Sequence, residues 1–150
     1  MRRRALVAAL LLLPGLAAAQ APGTGAAPPP LPPLPHVPLA RGITALEAGA
    51  WRVEFAPGME VLEAPQRIVL GRIGAVLNTG SIGRVTLVAE VGEGGDLSTT
   101  RRLSLARGRA VKAALVAGGL PETRIDIRAM GRTAANRDSV DVLAPTVARP

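Results

Sequence analysis

Leu103-Ser-Leu-Ala-Arg107-Gly-Arg-Ala-Val111-Lys-Ala-Ala-Leu115 is the stretch of sequence that decides the fold. Its apolar residues recur at helical spacing, and at 100° per residue Leu103, Ala110 and Ala114 fall within about 40° of one another. Arg107 lies inside the same stripe, so the pattern predicts an inward-facing guanidinium. Because a buried unpaired cation is very costly, Arg107 needs an anionic partner or an open cleft. The opposite face is predicted to be solvated and carries Arg101, Arg102, Arg109 and Lys112.

Two helices are predicted. Asp96 is a natural N-cap for the helix just described, which runs to about Ala117, where the sequence Gly-Gly-Leu-Pro ends it. The other helix covers residues 63–77, where apolar residues again recur at helical spacing. Gly71 and Gly74 each weaken this second helix by about 1 kcal/mol, so tertiary packing must hold it.

Four strands are predicted from alternating apolar residues, at residues 51–55, 84–91, 125–129 and 140–142. The order along the chain is therefore strand, helix, strand, helix, strand, strand. Each strand has one apolar face, so we expect the helices to cover a single face of the sheet. The predicted fold class is α+β, with a two-layer α/β sandwich.

The N-terminal segment has the composition of a signal peptide. A positive stretch at residues 1–4 precedes an apolar run and the small residues that end at Ala19. Cleavage is predicted after Ala19, with Ala21 as the second choice. The apolar run contains Pro14 and falls short of the ~20 residues that a spanning helix needs, so an uncleaved membrane anchor is the weaker alternative. No transmembrane segment is expected after cleavage.

Residues 20–42 form a predicted Pro-rich linker between the signal peptide and a domain at residues 43–150. This composition favours an extended polyproline II conformation and cannot form a packed core. A stiff spacer is the favoured interpretation, and a ligand for a Pro-binding module is the alternative. The only histidine, His36, lies in this linker and is a poor candidate for catalysis.

Composition excludes several classes of function. The chain has no cysteine, which excludes disulfides, thiolate metal sites and an acylated lipoprotein cysteine. With the single histidine in the linker, no enzyme site, no metal site and no cofactor is predicted. One Trp, one Phe and no Tyr leave no surface for stacking bases, so nucleic acid is not an expected partner.

The charge of the chain favours anionic partners without naming one. The net charge is +7, from 18 basic and 11 acidic residues. Export would remove three arginines and leave a net charge of +4. Such an excess favours contact with anionic polymers or membranes. An exported chain without disulfides is typical of a bacterial periplasm, and this is the predicted location, with the outer membrane of a Gram-negative bacterium as a further site of association.

The segment from Val85 to Val142 resembles the OmpA-like domain, the peptidoglycan-binding module of outer-membrane proteins, peptidoglycan-associated lipoproteins and flagellar motor stators. The family helix has the pattern Asn-x-x-Leu-Ser-x-x-Arg-Ala-x-x-Val-x-x-x-Leu. Here Thr100 stands at the Asn position and Gly108 at the Ala position. The remaining matches are Leu103-Ser104, Arg107, Val111, Leu115, the link Gly119–Ile125, the strand end Ala129–Gly131 and the first strand Val53–Phe55.

The resemblance implies a ligand site for the diaminopimelate residue of the peptidoglycan stem peptide. In the family, the helix Arg and an Asp at a Gly-His-Thr-Asp strand end bind the amino-acid end of that residue. The Arg corresponds to Arg107, but Gly92 stands at the position of the Asp. Glu90 and Asp96 are neighbouring carboxylates that could substitute. The predicted ligand-binding residues are Arg107, Thr100, Gly92 and Glu90.

Three functional hypotheses remain open on the sequence. The first is a non-catalytic envelope protein that binds peptidoglycan through Arg107. The second is a degenerate OmpA-like module that contacts other envelope proteins without binding the wall. The third is adsorption of the basic helix face to anionic lipid. Each candidate residue also has a structural alternative. Arg107 could pair with a carboxylate such as Glu90 or Asp126, or with carbonyls at a strand end. Thr100 could be a local cap of the helix, and the Glu90 side chain could simply be exposed to solvent.

Overall fold

Two helices pack on one face of a five-stranded sheet in the computed structural model, which describes residues 34–145. The elements in chain order are β1 (Ile43–Glu47), β2 (Ala50–Glu54), α1 (Ala64–Gly80), β3 (Val85–Val91), α2 (Leu97–Ala117), β4 (Ile125–Arg132) and β5 (Ser139–Leu143). The strand order across the sheet is β1-β2-β5-β3-β4. The predicted α+β two-layer sandwich is confirmed. The predicted signal peptide at residues 1–19 and residues 20–33 of the predicted linker lie outside the described residues.

One strand of the sheet was not predicted. β1 pairs antiparallel with β2 at the edge of the sheet, and Ala48 and Gly49 form the turn between them. Only Ile43 of β1 is buried, so this strand lacks the apolar alternation by which the other strands are found. The first strands among the described residues therefore form a hairpin, and the predicted order of elements lacked the first of them.

The core lies between the sheet and the two helices. Apolar side chains of the central strands, such as Val53, Leu87 and Val140, pack against the buried faces of α1 and α2. Val37 belongs to the same core cluster and is 7% exposed, although its position falls in the predicted linker. Within residues 34–145, no helix combines the length and the apolar character that crossing a membrane requires.

A close approach of backbones explains Gly74 in α1 and Gly118 at the end of α2. A Cβ atom at Gly74 would overlap the carbonyl group of Leu115 in α2, and a Cβ atom at Gly118 would overlap the backbone of Gly71. The two helices can approach this closely only because these positions lack side chains. The cost of glycine in a helix is therefore offset by packing, as predicted.

Asp96 begins α2 and gives the fold one pH-dependent contribution. Its carboxylate accepts a hydrogen bond from the Thr99 backbone N–H at 2.7 Å, which lowers the pKa of Asp96. A lowered pKa in the folded state stabilises the protein at neutral pH, and this stabilisation is lost as the pH falls through that pKa. We expect Asp96→Asn, which keeps a capping side chain, to reduce the fall in melting temperature between neutral and acid pH. An unchanged acid dependence in thermal melts would contradict this role.

Candidate functional site

The candidate site lies at the C-terminal end of β3, where four segments of the chain meet. Gly92 follows β3 directly, and α2 begins a few residues later. Because β5 runs antiparallel to β3 and Ser139 pairs with Glu90, the residue before β5 is brought beside the end of β3. The loop between β2 and α1 completes this end of the sheet through the carbonyls of Ala56 and Met59.

Arg107 is completely buried at the centre of this site, with 0% exposure. Its Nε donates to the Met59 carbonyl at 2.7 Å, and its Nη2 donates to the Ala56 carbonyl at 3.2 Å. Its Nη1 donates to the Glu90 carbonyl at 3.0 Å, and the guanidinium carbon lies 5.2 Å from the centre of the Phe55 ring. The prediction of an inward-facing guanidinium is confirmed, and strand-end carbonyls are among its partners.

Asp138 supplies the anionic partner of Arg107. Its Oδ1 accepts from Arg107 Nη1 at 2.7 Å and from the backbone N–H of Gly92 at 3.1 Å. The side chain of Asp138 is 17% exposed, whereas that of Arg107 is fully covered. The pair is thus layered, with the cation inside and the carboxylate between it and the surface. A charge-assisted bond of this length in a buried setting is among the stronger contacts of a fold.

Gly92 provides the space that the Asp138 carboxylate occupies. A Cβ atom built at Gly92 would lie 2.7 Å from Oδ2 and 3.3 Å from Cγ of Asp138. A side chain at position 92 and a carboxylate from position 138 therefore compete for the same volume. Beside Gly92, at the position where the resemblance places an Asp, the structure has the carboxylate of Asp138.

Glu90 is a second acidic residue of the site, and its carboxylate has its own partners. Thr133 Oγ1 donates to its Oε1 at 2.9 Å, and Arg137 donates to its Oε2 from Nη2 at 3.0 Å and from Nε at 3.2 Å. The Glu90 side chain is 11% exposed, so the alternative of solvent exposure does not describe it. Glu90 holds the segment that precedes β5 against the sheet.

Two hydroxyls of α2 have structural bonds. Thr100 Oγ1 donates to the carbonyls of Asp96 at 3.1 Å and Leu97 at 3.2 Å, so its hydroxyl bonds back to the helix backbone and is not the cap. Ser104 Oγ donates to the Arg101 carbonyl at 2.9 Å and accepts from the Gly131 backbone N–H at 3.1 Å. Ser104 thereby joins the helix to the end of β4. Asp96, the other neighbouring carboxylate considered above, caps the helix.

Sequence reasoning missed Asp138, although it found the cation that Asp138 pairs with. Neither Glu90 nor Asp126 provides the carboxylate for Arg107: Glu90 contributes its backbone carbonyl, and Asp126 pairs with Arg84 at 2.7 Å on the exposed sheet face. The one signal in the sequence was the position of Asp138 just before a strand, and in the structure it follows the turn at Ala134 and Ala135. That position becomes informative only with the pairing of β5 against β3.

The site offers hydrogen-bonding and charged groups. Within residues 34–145, no group of three or more His, Cys, Asp or Glu residues is arranged to hold a metal ion. The two ion pairs, Arg107–Asp138 and Glu90–Arg137, place balanced charges at one end of the sheet. Such an arrangement can bind a charged or zwitterionic group at the surface.

Comparison with solved structures shows the same fold. The chain is similar to the peptidoglycan-associated lipoprotein of Burkholderia pseudomallei, with a TM-score of 0.55 and 16% identity over 61% of this chain and 87% of that one. An outer membrane protein of Borrelia burgdorferi has a TM-score of 0.55 and 16% identity over 68% and 94% of the two chains. The periplasmic domain of Helicobacter pylori MotB has a TM-score of 0.51 and 10% identity over 67% and 78%.

The family assignment rests on a sequence model. No curated protein sequence matches the chain. The model of the OmpA family matches residues 54–141, which is more than half of the chain. The match runs from the last residue of β2 into β5 and includes Arg107, Gly92 and Asp138. The chain therefore belongs to the OmpA family.

Proposed function

We propose that this protein is a non-catalytic peptidoglycan-binding protein of the bacterial cell envelope, and that the diaminopimelate residue of the stem peptide binds at the end of β3. The observation that carries the proposal is the OmpA-family match over residues 54–141, with Arg107 at the family's helix position beside Gly92 at the strand end. The signal peptide and Pro-rich linker predicted from the sequence support export to the periplasm, with the linker as a spacer between the domain and another layer of the envelope.

The zwitterionic end of diaminopimelate suits the chemistry of this site. The ligand end carries an ammonium and a carboxylate, and the site combines a surface carboxylate with nearby N–H donors and arginines. Charge-assisted hydrogen bonds to such groups are strong and directional. Thr100, Gly92 and Glu90 are proposed to shape the site around Arg107 rather than to bind the ligand through free side chains, because the hydroxyl of Thr100 and the carboxylate of Glu90 have partners in the fold.

A second candidate function is supported by the burial of Arg107. Four of its N–H groups donate to protein acceptors, and its side chain has no exposed surface. In this alternative, the arginine at the family's ligand-binding position only stabilises the fold, and the module uses the OmpA fold for contact with other envelope proteins. This alternative predicts no binding to the wall.

Retention on purified sacculi separates the two functions. We expect the full chain to sediment with sacculi that contain diaminopimelate and to be released by free diaminopimelate. The matched control is Asp126→Asn, which removes a carboxylate from an exposed ion pair away from the site and should bind as the natural chain does. If the natural chain stays in the supernatant while a specific envelope protein is captured by cross-linking, the alternative function is correct.

A further inference from the structure

We infer that Asp138 is the ligand-contacting acid of this site and that Arg107 acts behind it as a positioning residue, so that the site recognises the ammonium group of its ligand. This inference rests on the proposed function and names the group of the wall that is bound. The inferred site differs from one in which the arginine itself binds a carboxylate of the ligand.

The layering of the ion pair is the first argument. The Arg107 side chain is 0% exposed and the Asp138 side chain is 17% exposed, so a ligand that arrives from solvent meets the carboxylate first. Arg107 could reach a ligand carboxylate only by giving up Asp138. That exchange would leave a partly buried carboxylate beside the arriving anion, and like charges at short distance repel.

The two oxygens of Asp138 are the second argument. Oδ1 accepts from both Arg107 and Gly92, which fixes the orientation of the carboxylate. Among the described residues, no donor bonds to Oδ2, which lies on the side where a Gly92 side chain would project. A carboxylate held by one oxygen and free at the other is a ready acceptor for an ammonium group.

The third argument is that a side chain at position 92 and the carboxylate of Asp138 would occupy the same space. The present arrangement favours glycine at position 92, because a Cβ there would lie 2.7 Å from Oδ2 of Asp138, and the carboxylate that Arg107 and Gly92 hold through Oδ1 would have to shift. The acid at this end of the sheet is therefore supplied by the residue before β5, the strand next to β3. A single Gly92→Asp change would add a second carboxylate to occupied space, so restoring the family residue requires the removal of Asp138 as well.

The first test uses matched competitors against the natural full chain bound to sacculi. Cadaverine carries two amines and no carboxylate, whereas pimelate carries two carboxylates and no amine. At equal ionic strength, we expect cadaverine and diaminopimelate to displace the protein and pimelate to have no effect. If pimelate displaces the protein, whether or not cadaverine also does so, the inference is overturned while wall binding stays intact. If the protein binds sacculi but diaminopimelate fails to displace it, the stem-peptide proposal itself is wrong, and this inference falls with it.

The second test moves the carboxylate. We expect Asp138→Asn, which keeps an oxygen acceptor for Gly92, to reduce retention on sacculi at least about tenfold, the loss that corresponds to one charge-assisted contact. The double variant Gly92→Asp with Asp138→Ala should recover most of the binding. Asp126→Asn is the control for the loss of one negative charge. Full retention of a folded Asp138→Asn protein would overturn the inference; if that variant does not fold, the competitor experiment on the natural chain decides.

Discussion

Replacing Arg107 by alanine is expected to lower the free energy of unfolding by about 3–5 kcal/mol, the cost of breaking a buried ion pair by removing one partner. The substitution leaves the Asp138 carboxylate beside an emptied space. It also removes a donor to the carbonyls of Ala56 and Met59, in the loop between β2 and α1, and to the carbonyl of Glu90 in β3. We therefore expect the loop between β2 and α1 and the segment before β5 to lose hydrogen-exchange protection. Chemical denaturation and hydrogen exchange measure the two effects.

Arg109→Ala is the matched control for this prediction. Arg109 lies two positions further along the same helix, and it is exposed. The same change of residue type on the solvated face should alter stability by no more than about 0.5 kcal/mol. If Arg107→Ala lowers the free energy of unfolding as little as Arg109→Ala does, the guanidinium does not hold these segments together. A loss of wall binding in Arg107→Ala would then report directly on a lost ligand contact. With the expected large effect, Arg107→Ala cannot by itself report on binding, and because Asp138→Asn breaks the same pair, the competitor experiment on the natural chain is the primary test of binding.

Two glycines of α1 that look equivalent in the sequence are expected to respond in opposite directions to alanine. In Gly74→Ala the new methyl group would overlap the Leu115 carbonyl, so the helices must move apart, at a cost of about 1–3 kcal/mol. In Gly71→Ala the methyl group would lie 3.9 Å from the Ala114 carbonyl oxygen, an ordinary contact. This variant should gain up to about 1 kcal/mol from the higher helix propensity of alanine.

Urea unfolding of the two variants beside the natural chain measures this difference. Because both substitutions have the same effect on the intrinsic helix preference, any difference between them reports on the packing of α1 against α2. Equal effects of the two variants would mean that the helices are not in the close contact described here.

Local sequence patterns were sufficient for the elements with strong periodicity. The prediction for α2 ran from the Asp96 cap to about Ala117, and the helix spans Leu97–Ala117. The prediction for α1 stopped at residue 77, whereas the helix continues to Gly80. There Asn78 and Thr79 remain helical, and the Thr79 hydroxyl donates back to the Ala75 carbonyl at 3.1 Å. β1 was missed because a mostly exposed edge strand is specified by its partner strand rather than by its own side chains.

The sequence by itself determined that Arg107 points inward, because helical periodicity is a property of neighbouring residues and needs no knowledge of the rest of the chain. Only the tertiary structure decided what this guanidinium meets. Asp138 lies 31 residues away, and the pairing of β5 with β3 brings it to Gly92. The partner of a buried cation leaves no motif beside that cation in the sequence, because the pairing depends on where the carboxylate oxygen lies in space and not on which segment supplies it.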